Sequence, residues 1–462
     1  MSITIRPSQL AGGFAIAALA IVYPGAPPGL SAGLAWSCLA IGYVCLIGSA
    51  RTRYLAPHIP CHFGIDTLFL SFYVLLFFVP YQLHVLGLGD YATSVVFSQT
   101  FAPWANRAVI LSTMGMVAFC IGFAAHQSRP FIPATPRADA RVMRHLPLLV
   151  FLGMAALLAL YHGAGWRGAN EGRYTGTSAG GSLAEGVGLL ITLLAMIAIA
   201  TALTRRAQHL PLQAIHWLGL LVAIYWGSRL FAFGDRNAVL LLVLVAAAGW
   251  AGFNKRIGRT WLALGLALGL MLYFGIEWWR TDPVAGPRAG ESSFNFTTIG
   301  LRAALAAVPD LGEFGWGRYK LIGAMGIVPL IRGPFLAETT AAISSADVIT
   351  LAMLGPNASW SVGSNIVADL YLDFGVAGVP LGLGAIGWFA GWVQARTMAS
   401  PTSPPTIIFY LVALALLAEL PRYSADFPLR FVVWTLFLFA LLQLVTPRDR
   451  HTVAQGRQGM AR

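Results

Sequence analysis

Four groups of charged residues stand in a sequence that is otherwise strongly apolar. Arg229 and Arg236 bracket a short turn in GSRLFAFGDRNAV. Seven residues of helix span about 10 Å, two turns, so both side chains can reach one side. An arginine fork binds phosphate oxygens bidentately and does not deprotonate. The pair therefore suits a clamp for an anionic headgroup, with snorkelling or pairing of Arg236 to a nearby acid as the plainer alternative. Asp369 and Asp373 stand at i and i+4 in NIVADLYLDFG, on one helix face. Two carboxylates so placed suit a general base, a cation site, or ion pairs with the arginines inside the fold. Glu419, Arg422, Asp426 and Arg430 crowd ELPRYSADFPLR, a turn stiffened by Pro421 and Pro428. Arg318, Lys320 and Arg332 are basic residues close to the helical stretches of the longest polar segment. His84 and His162 stand at span ends, where a lone histidine is more often structural than catalytic.

What positions these charges follows from composition. Of 462 residues, 57% are hydrophobic and 10% charged, and the mean hydropathy is +0.70. Soluble proteins run near 45–50% apolar and about 25% charged. A soluble enzyme, a secreted disulfide scaffold and a disordered chain are excluded. The chain reads as an all-α, polytopic integral membrane protein. Cys38, Cys45, Cys61 and Cys120 suggest neither a disulfide nor a metal site. No metal or other cofactor is expected.

Twelve apolar runs have lengths suited to crossing about 30 Å of hydrocarbon. They cover 9–23, 31–50, 63–86, 107–125, 147–161, 185–203, 214–233, 237–253, 260–279, 365–395, 406–420 and 430–446. The tenth is long enough to be tilted or broken. An inner N-terminus places 17 basic and 3 acidic residues inside, a net of +14, and leaves −2 outside. That split obeys the positive-inside rule and puts both termini in the cytoplasm. It also absorbs the net charge of +12, so no nucleic-acid partner is expected. The first run is read as a retained span rather than a cleaved signal peptide.

The organisation is three-part: residues 1–280 hold spans one to nine, 281–364 form an outer loop, and 365–462 hold the last three spans and a tail. The 84-residue loop contains helical stretches at 297–308 and 319–332, too short or interrupted to cross. These are amphipathic candidates for lying along the membrane surface or capping a cavity. GLGAIG at 382–387 fits a dinucleotide glycine pattern, but it lies inside a span with no strand before it. Gly378–Gly382, Gly387–Gly391 and Gly265–Gly269 have the spacing that lets helix backbones approach closely.

Several features together resemble the Wzy-type O-antigen and exopolysaccharide repeat-unit polymerases. They are Gly-x-Arg at 227–229 and 234–236, and the late loop carrying GRYKLIGAMGIVPL at 317–330. GSNIVADLYLDFGVAGVPLGLGAIG at 363–387 and an arginine-bearing turn before the last span complete the set. The resemblance covers most of residues 220–440. Some members carry paired Arg-x10-Gly motifs; no outer arginine here has glycine at that spacing, so those roles are not transferred.

The resemblance implies a GT-C-like membrane glycosyltransferase in the bacterial inner membrane, acting in lipopolysaccharide or exopolysaccharide synthesis. Its substrates would be undecaprenyl-pyrophosphate-linked oligosaccharides, with membrane lipids around it and a chain-length regulator and a flippase as partners. A hydroxyl of one unit attacks the sugar carbon that bears the pyrophosphate of another. The implied pyrophosphate-binding residues are Arg229, Arg236, Arg318, Lys320, Arg332, Arg422 and Arg430. The implied proton acceptor is Asp369, Asp373, Asp426 or Glu419. An O-antigen ligase that uses a lipid A core acceptor, a polysaccharide or lipid flippase, and a small-solute transporter are the alternatives.

Overall fold

The computed structural model describes residues 7–51, 53–56, 59–62, 64–88, 100–126, 136–166, 181–232, 235–255, parts of 257–271, 293–311, 313–327, 344–358 and 361–445. In hydrocarbon every backbone amide must bond within its own segment, so apolar runs of this kind become helices. The first are α1 (Pro7–Val22) and α2 (Ala32–Ser49), followed by α3 (Ile65–Phe77) and α4 (Val79–Val85). Next come α5 (Ala105–Ala124), α6 (Pro136–Gly163), α7 (Gly181–Ala207), α8 (Ala214–Ala232) and α9 (Arg236–Gly249). The loop contributes α10 (Ser293–Leu311), α11 (Arg318–Met325) and α12 (Ser345–Leu354). The chain ends in α13 (Ile366–Ala399), α14 (Pro404–Glu419) and α15 (Asp426–Val445).

Among the described residues, eight helices are long and apolar enough to cross a membrane, or nine if α3 and α4 form one span bent by 42°. The chain is a multi-pass helical membrane protein. Helix α1, at 16 residues, is shorter than the roughly 20 that a full crossing takes. The expected ninth span, 260–279, lies largely outside the described residues. One small sheet adds to the helical plan. Strand β1 (Arg53–Ala56) pairs antiparallel with β2 (Ile59–Cys61), Arg53 opposite Cys61. Its Leu55 and Cys61 pack over Gly252 in the π-helical turn Trp250–Asn254 that ends α9.

The tightest crossing joins α5 to α13, and its cause is glycine. A Cβ on Gly387 would collide with the Phe119 carbonyl, and one on Gly391 with the Phe123 carbonyl at 2.5 Å. Gly122 lies equally close to the Gly384 carbonyl. The Gly387–Gly391 spacing therefore does bring two backbones together, as expected. Among the described residues, a Cβ on Gly265 or Gly269 would meet nothing within 4 Å.

Helix α13 is broken, as its length allowed, and the break falls at Gly375. Gly375 has φ +67° and ψ −158°, a conformation open essentially to glycine alone. The break frees two carbonyls, and the loop satisfies them. Gly315 N–H donates to the Leu372 carbonyl and Trp316 N–H to the Asp373 carbonyl, both at 2.8 Å. The Phe314 ring fills the space against Gly375.

Helix α10 differs from a surface-lying amphipathic helix. Residues 298–305 are buried in succession. Thr298 Oγ1 donates to the Leu76 carbonyl at 2.7 Å, and Asn365 Nδ2 donates to the Thr297 carbonyl at 3.0 Å. Small Gly300, Ala303 and Ala304 let neighbours enclose the helix on all sides. The second expected loop helix, 319–332, ends at Met325, and residues 328–343, including Arg332, lie outside the described residues.

Candidate active site

The loop and the last three helices meet around Asp369 and Asp373, both on the first turns of α13 and both buried. Burial of a carboxylate demands donors for every lone pair. Asp369 Oδ1 accepts from Ser345 Oγ at 2.6 Å, and Oδ2 accepts from Ala425 N–H at 2.9 Å. Lys320 Nζ lies 2.6 Å from the same Oδ2 and donates to the Asp369 carbonyl at 3.0 Å. Ser345 is held in place by a capping box that starts α12. There Ser344 Oγ accepts from Asp347 N–H, and the Asp347 carboxylate accepts from Ser344 N–H.

Asp373 serves as the cap of α11 from another helix. Its Oδ1 accepts from Gly317 and Tyr319 N–H, both at 3.1 Å, and its Oδ2 accepts from Lys320 N–H at 3.2 Å. The negative charge sits on the positive end of the α11 dipole, and Lys320 Nζ completes the site at 3.2 Å. Gly315 must be glycine, because a Cβ there would lie 2.6 Å from Asp373 Oδ1 and 2.7 Å from the Tyr319 ring. Burial pushes the Tyr319 hydroxyl above its ordinary range, opposed by the charge of Arg318, so the phenol stays a neutral donor.

Helix α11 also covers the start of α15. Gly323 lies against Asp426, Gly326 lies on the Arg430 guanidinium, and Trp434 Nε1 donates to the Ile327 carbonyl at 2.8 Å. Asp426 and Arg430 form an i,i+4 pair at 2.6 Å, and Ser424 Oγ also donates to Asp426. Neither member of the pair is fully buried; their side chains are 21% and 16% exposed.

The same turn reaches the other way. Arg422 Nη1 donates to Asn237 Oδ1 at 2.6 Å, on the first turn of α9. Asp235 caps that helix by accepting from Ala238 N–H at 3.2 Å. Buried Glu419 faces Arg422 and Tyr423, with Asp235 nearby. Residues 419–430 thus join the α8–α9 turn to the α11–α13 cluster.

Of the expected site residues, Lys320, Asp369, Asp373, Asp426 and Arg430 form one group, and Glu419 and Arg422 form its neighbour. Asp369 and Asp373 pair with Lys320, where ion pairs with the arginines were one expectation. Arg229 ends α8 with its guanidinium 5.9 Å from the Tyr161 ring, a cation–π distance. Arg236 opens α9, and its side chain lies outside the described residues. Arg318 is exposed. His162 is hydrogen-bonded to the Tyr225 hydroxyl at 3.0 Å, a side-chain pairing beside Arg229's helix end.

Sequence reasoning missed Ser345, Asn237 and Ser424, each the partner of a predicted charge. Asn237 directly follows Arg236 and Ser424 lies two residues before Asp426, so adjacency was their only signal. It also passed over Arg302, buried in α10 with its guanidinium 5.9 Å from the Tyr81 ring. Among the described residues no group of histidine, cysteine and carboxylate side chains could hold a metal ion.

The charges that converge here lie between Lys320 and Arg430, and comparison with known families covers that same stretch. Residues 320–450 match the O-antigen polysaccharide polymerase Wzy family. The match spans α11 from Lys320 onward, all of α12 to α15 and the 419–430 turn. It supports the resemblance drawn from GRYKLIGAMGIVPL and the α13 sequence. No curated protein and no solved structure gives a significant match.

Proposed function

We propose that this protein polymerises undecaprenyl-pyrophosphate-linked oligosaccharide repeat units at the periplasmic face of the bacterial inner membrane. The termini are cytoplasmic, and the end of the bundle that carries Asp369 and Arg422 faces the periplasm. The observation that carries the reading is a partly exposed Asp426–Arg430 pair on the same turn as Arg422, inside the Wzy-matching segment.

In the reaction, an acceptor hydroxyl forms a bond to the sugar carbon that carries the donor's pyrophosphate. The carbon–oxygen bond to that pyrophosphate breaks, and undecaprenyl pyrophosphate leaves with the electron pair. Arg422 and Arg430 stabilise the charge that gathers on the leaving oxygens, with Arg229 and Arg236 extending the cationic wall. Asp426, oriented by Ser424 and Arg430, takes the acceptor proton. Glu419 holds Arg422 in place. Lys320, Asp369 and Asp373 form the frame that fixes the loop against α13 and α15, so their contribution is to positioning. A flippase that delivers the lipid-linked unit and a chain-length regulator are its functional partners.

The experiment is direct. Purified protein in liposomes receives lipid-linked repeat units, and the products are separated by size. A ladder of multiples supports the reading. Transfer of a single unit to a lipid A core would make the protein a ligase, and translocation without bond formation would make it a flippase.

A further inference from the structure

Trp316 is the least sheltered aromatic residue near the site, 74% exposed. It also has φ +50°, and a bulky side chain in the left-handed region is a genuine outlier. Such strain persists only where surrounding contacts over-determine the backbone. Here they do. Trp316 N–H donates to the Asp373 carbonyl at 2.8 Å, and Gly317 N–H donates to Asp373 Oδ1 at 3.1 Å. The neighbouring Phe314 ring fills the gap at Gly375 and meets Tyr371 edge-on at 5.6 Å. The indole is 6.4 Å from the Phe314 ring at 85°. A rigid base therefore holds a strained, exposed indole.

We propose that Trp316 is a carbohydrate-stacking platform that holds one sugar ring of the lipid-linked oligosaccharide beside the charged turn. This rests on the polymerase reading above and adds the residue that seats the glycan. A pyranose presents a face of C–H groups, and its hydroxyls point outward around the rim. The flat, amphipathic indole accepts the C–H face while the rim stays wet. Exposed Glu313 and Arg318 stand three residues before and two residues after it in sequence, an acceptor and a donor available for those hydroxyls. Lys320 follows four residues later and contacts Asp369 and Asp373. The platform is thus built onto the frame of the site. A membrane-anchoring tryptophan is the competing role, and it predicts no contact with sugar.

The test uses full-length protein with three variants. Trp316→Gly removes the ring at a position glycine occupies without strain, so this variant should accumulate normally. Trp316→Leu keeps an apolar anchor without a ring, and Trp316→Phe keeps a ring. The probes are lipid-linked repeat units extracted from the source cells and the oligosaccharide released from them by mild acid.

A stacking contact of about 1.4 kcal/mol corresponds to tenfold in affinity. The Gly and Leu variants should lose about tenfold in binding of the released oligosaccharide, with KM for the lipid-linked unit rising in parallel and kcat little changed. The Phe variant should retain most of both. Wild-type binding and KM in Trp316→Leu would reduce the residue to an anchor and overturn the proposal, even with a normal ladder. Trp316-dependent binding by a protein that builds no ladder would instead keep the platform and remove the polymerase reading.

Discussion

Lys320 and Asp369 lie 2.6 Å apart, although 48 residues and a stretch of loop separate them in sequence. One ammonium, 24% exposed, faces two almost fully buried carboxylates. Its removal leaves like charges together in a site with little water. Lys320→Ala should therefore lower stability by about 3–5 kcal/mol, the range for breaking a buried pair from one side. Thermal unfolding in detergent and abundance in membranes both read this. The triple variant Lys320→Met, Asp369→Asn, Asp373→Asn should recover a large part of the loss. A single Lys320→Ala as stable as wild type would show that the cluster frames nothing.

Gly375 carries the break that admits the loop. Gly375→Ala should cost at least about 1–3 kcal/mol from backbone strain, with added crowding because Phe314 lies 3.0 Å from the new Cβ. Limited proteolysis should then cut within residues 313–327 earlier than in wild type. An unchanged digestion pattern would mean that the loop is held by other contacts.

The α5–α13 crossing gives a contrast within one experiment. Gly387→Leu places a side chain against the Phe119 backbone and should sharply reduce accumulation. At Gly265 a Cβ meets no described residue within 4 Å, so Gly265→Leu should accumulate normally. Equal behaviour of the two would remove close packing as the reason for glycine at 387.

Arg422 separates charge from geometry. Arg422→Lys keeps the cation but loses the fork, so the protein should accumulate while polymer formation falls. Asn237→Ala removes the neutral partner of the bond at 2.6 Å and should cost about 1.5–3 kcal/mol, the range for a hydrogen bond to a charged group. Full polymer formation by Arg422→Lys would show that a point charge is enough there.

Much of the frame was legible because it lies in local spacing. The apolar runs predicted where helices form, Gly387 and Gly391 predicted a close crossing, and the length of the tenth run showed that it could be broken. The i,i+4 spacing of Asp369 and Asp373 put both on one face. Their partner was not legible. Lys320 reaches them through a fold in the loop, and no periodicity encodes a contact between segments so far apart. The burial of α10 was hidden for a related reason. Gly300, Ala303 and Ala304 are small enough to be enclosed, yet they weaken the apolar signal that marks a buried helix. The 419–430 turn was recognised from charge crowding alone, but its role in joining Asn237 to Asp369 needed the structure.

The proposed glycan polymerisation centres on the charged turn of residues 419–430. Its most direct test is the product ladder from purified protein and lipid-linked repeat units, run for wild type and for Asp426→Asn at matched, verified abundance. Wild type should form a ladder. Asp426→Asn should lose about 10²–10⁴-fold in rate, the range for removal of one proton-transfer group. A wild-type ladder left unchanged by Asp426→Asn would contradict the assignment of the base, and a wild type that forms no ladder would contradict the function itself.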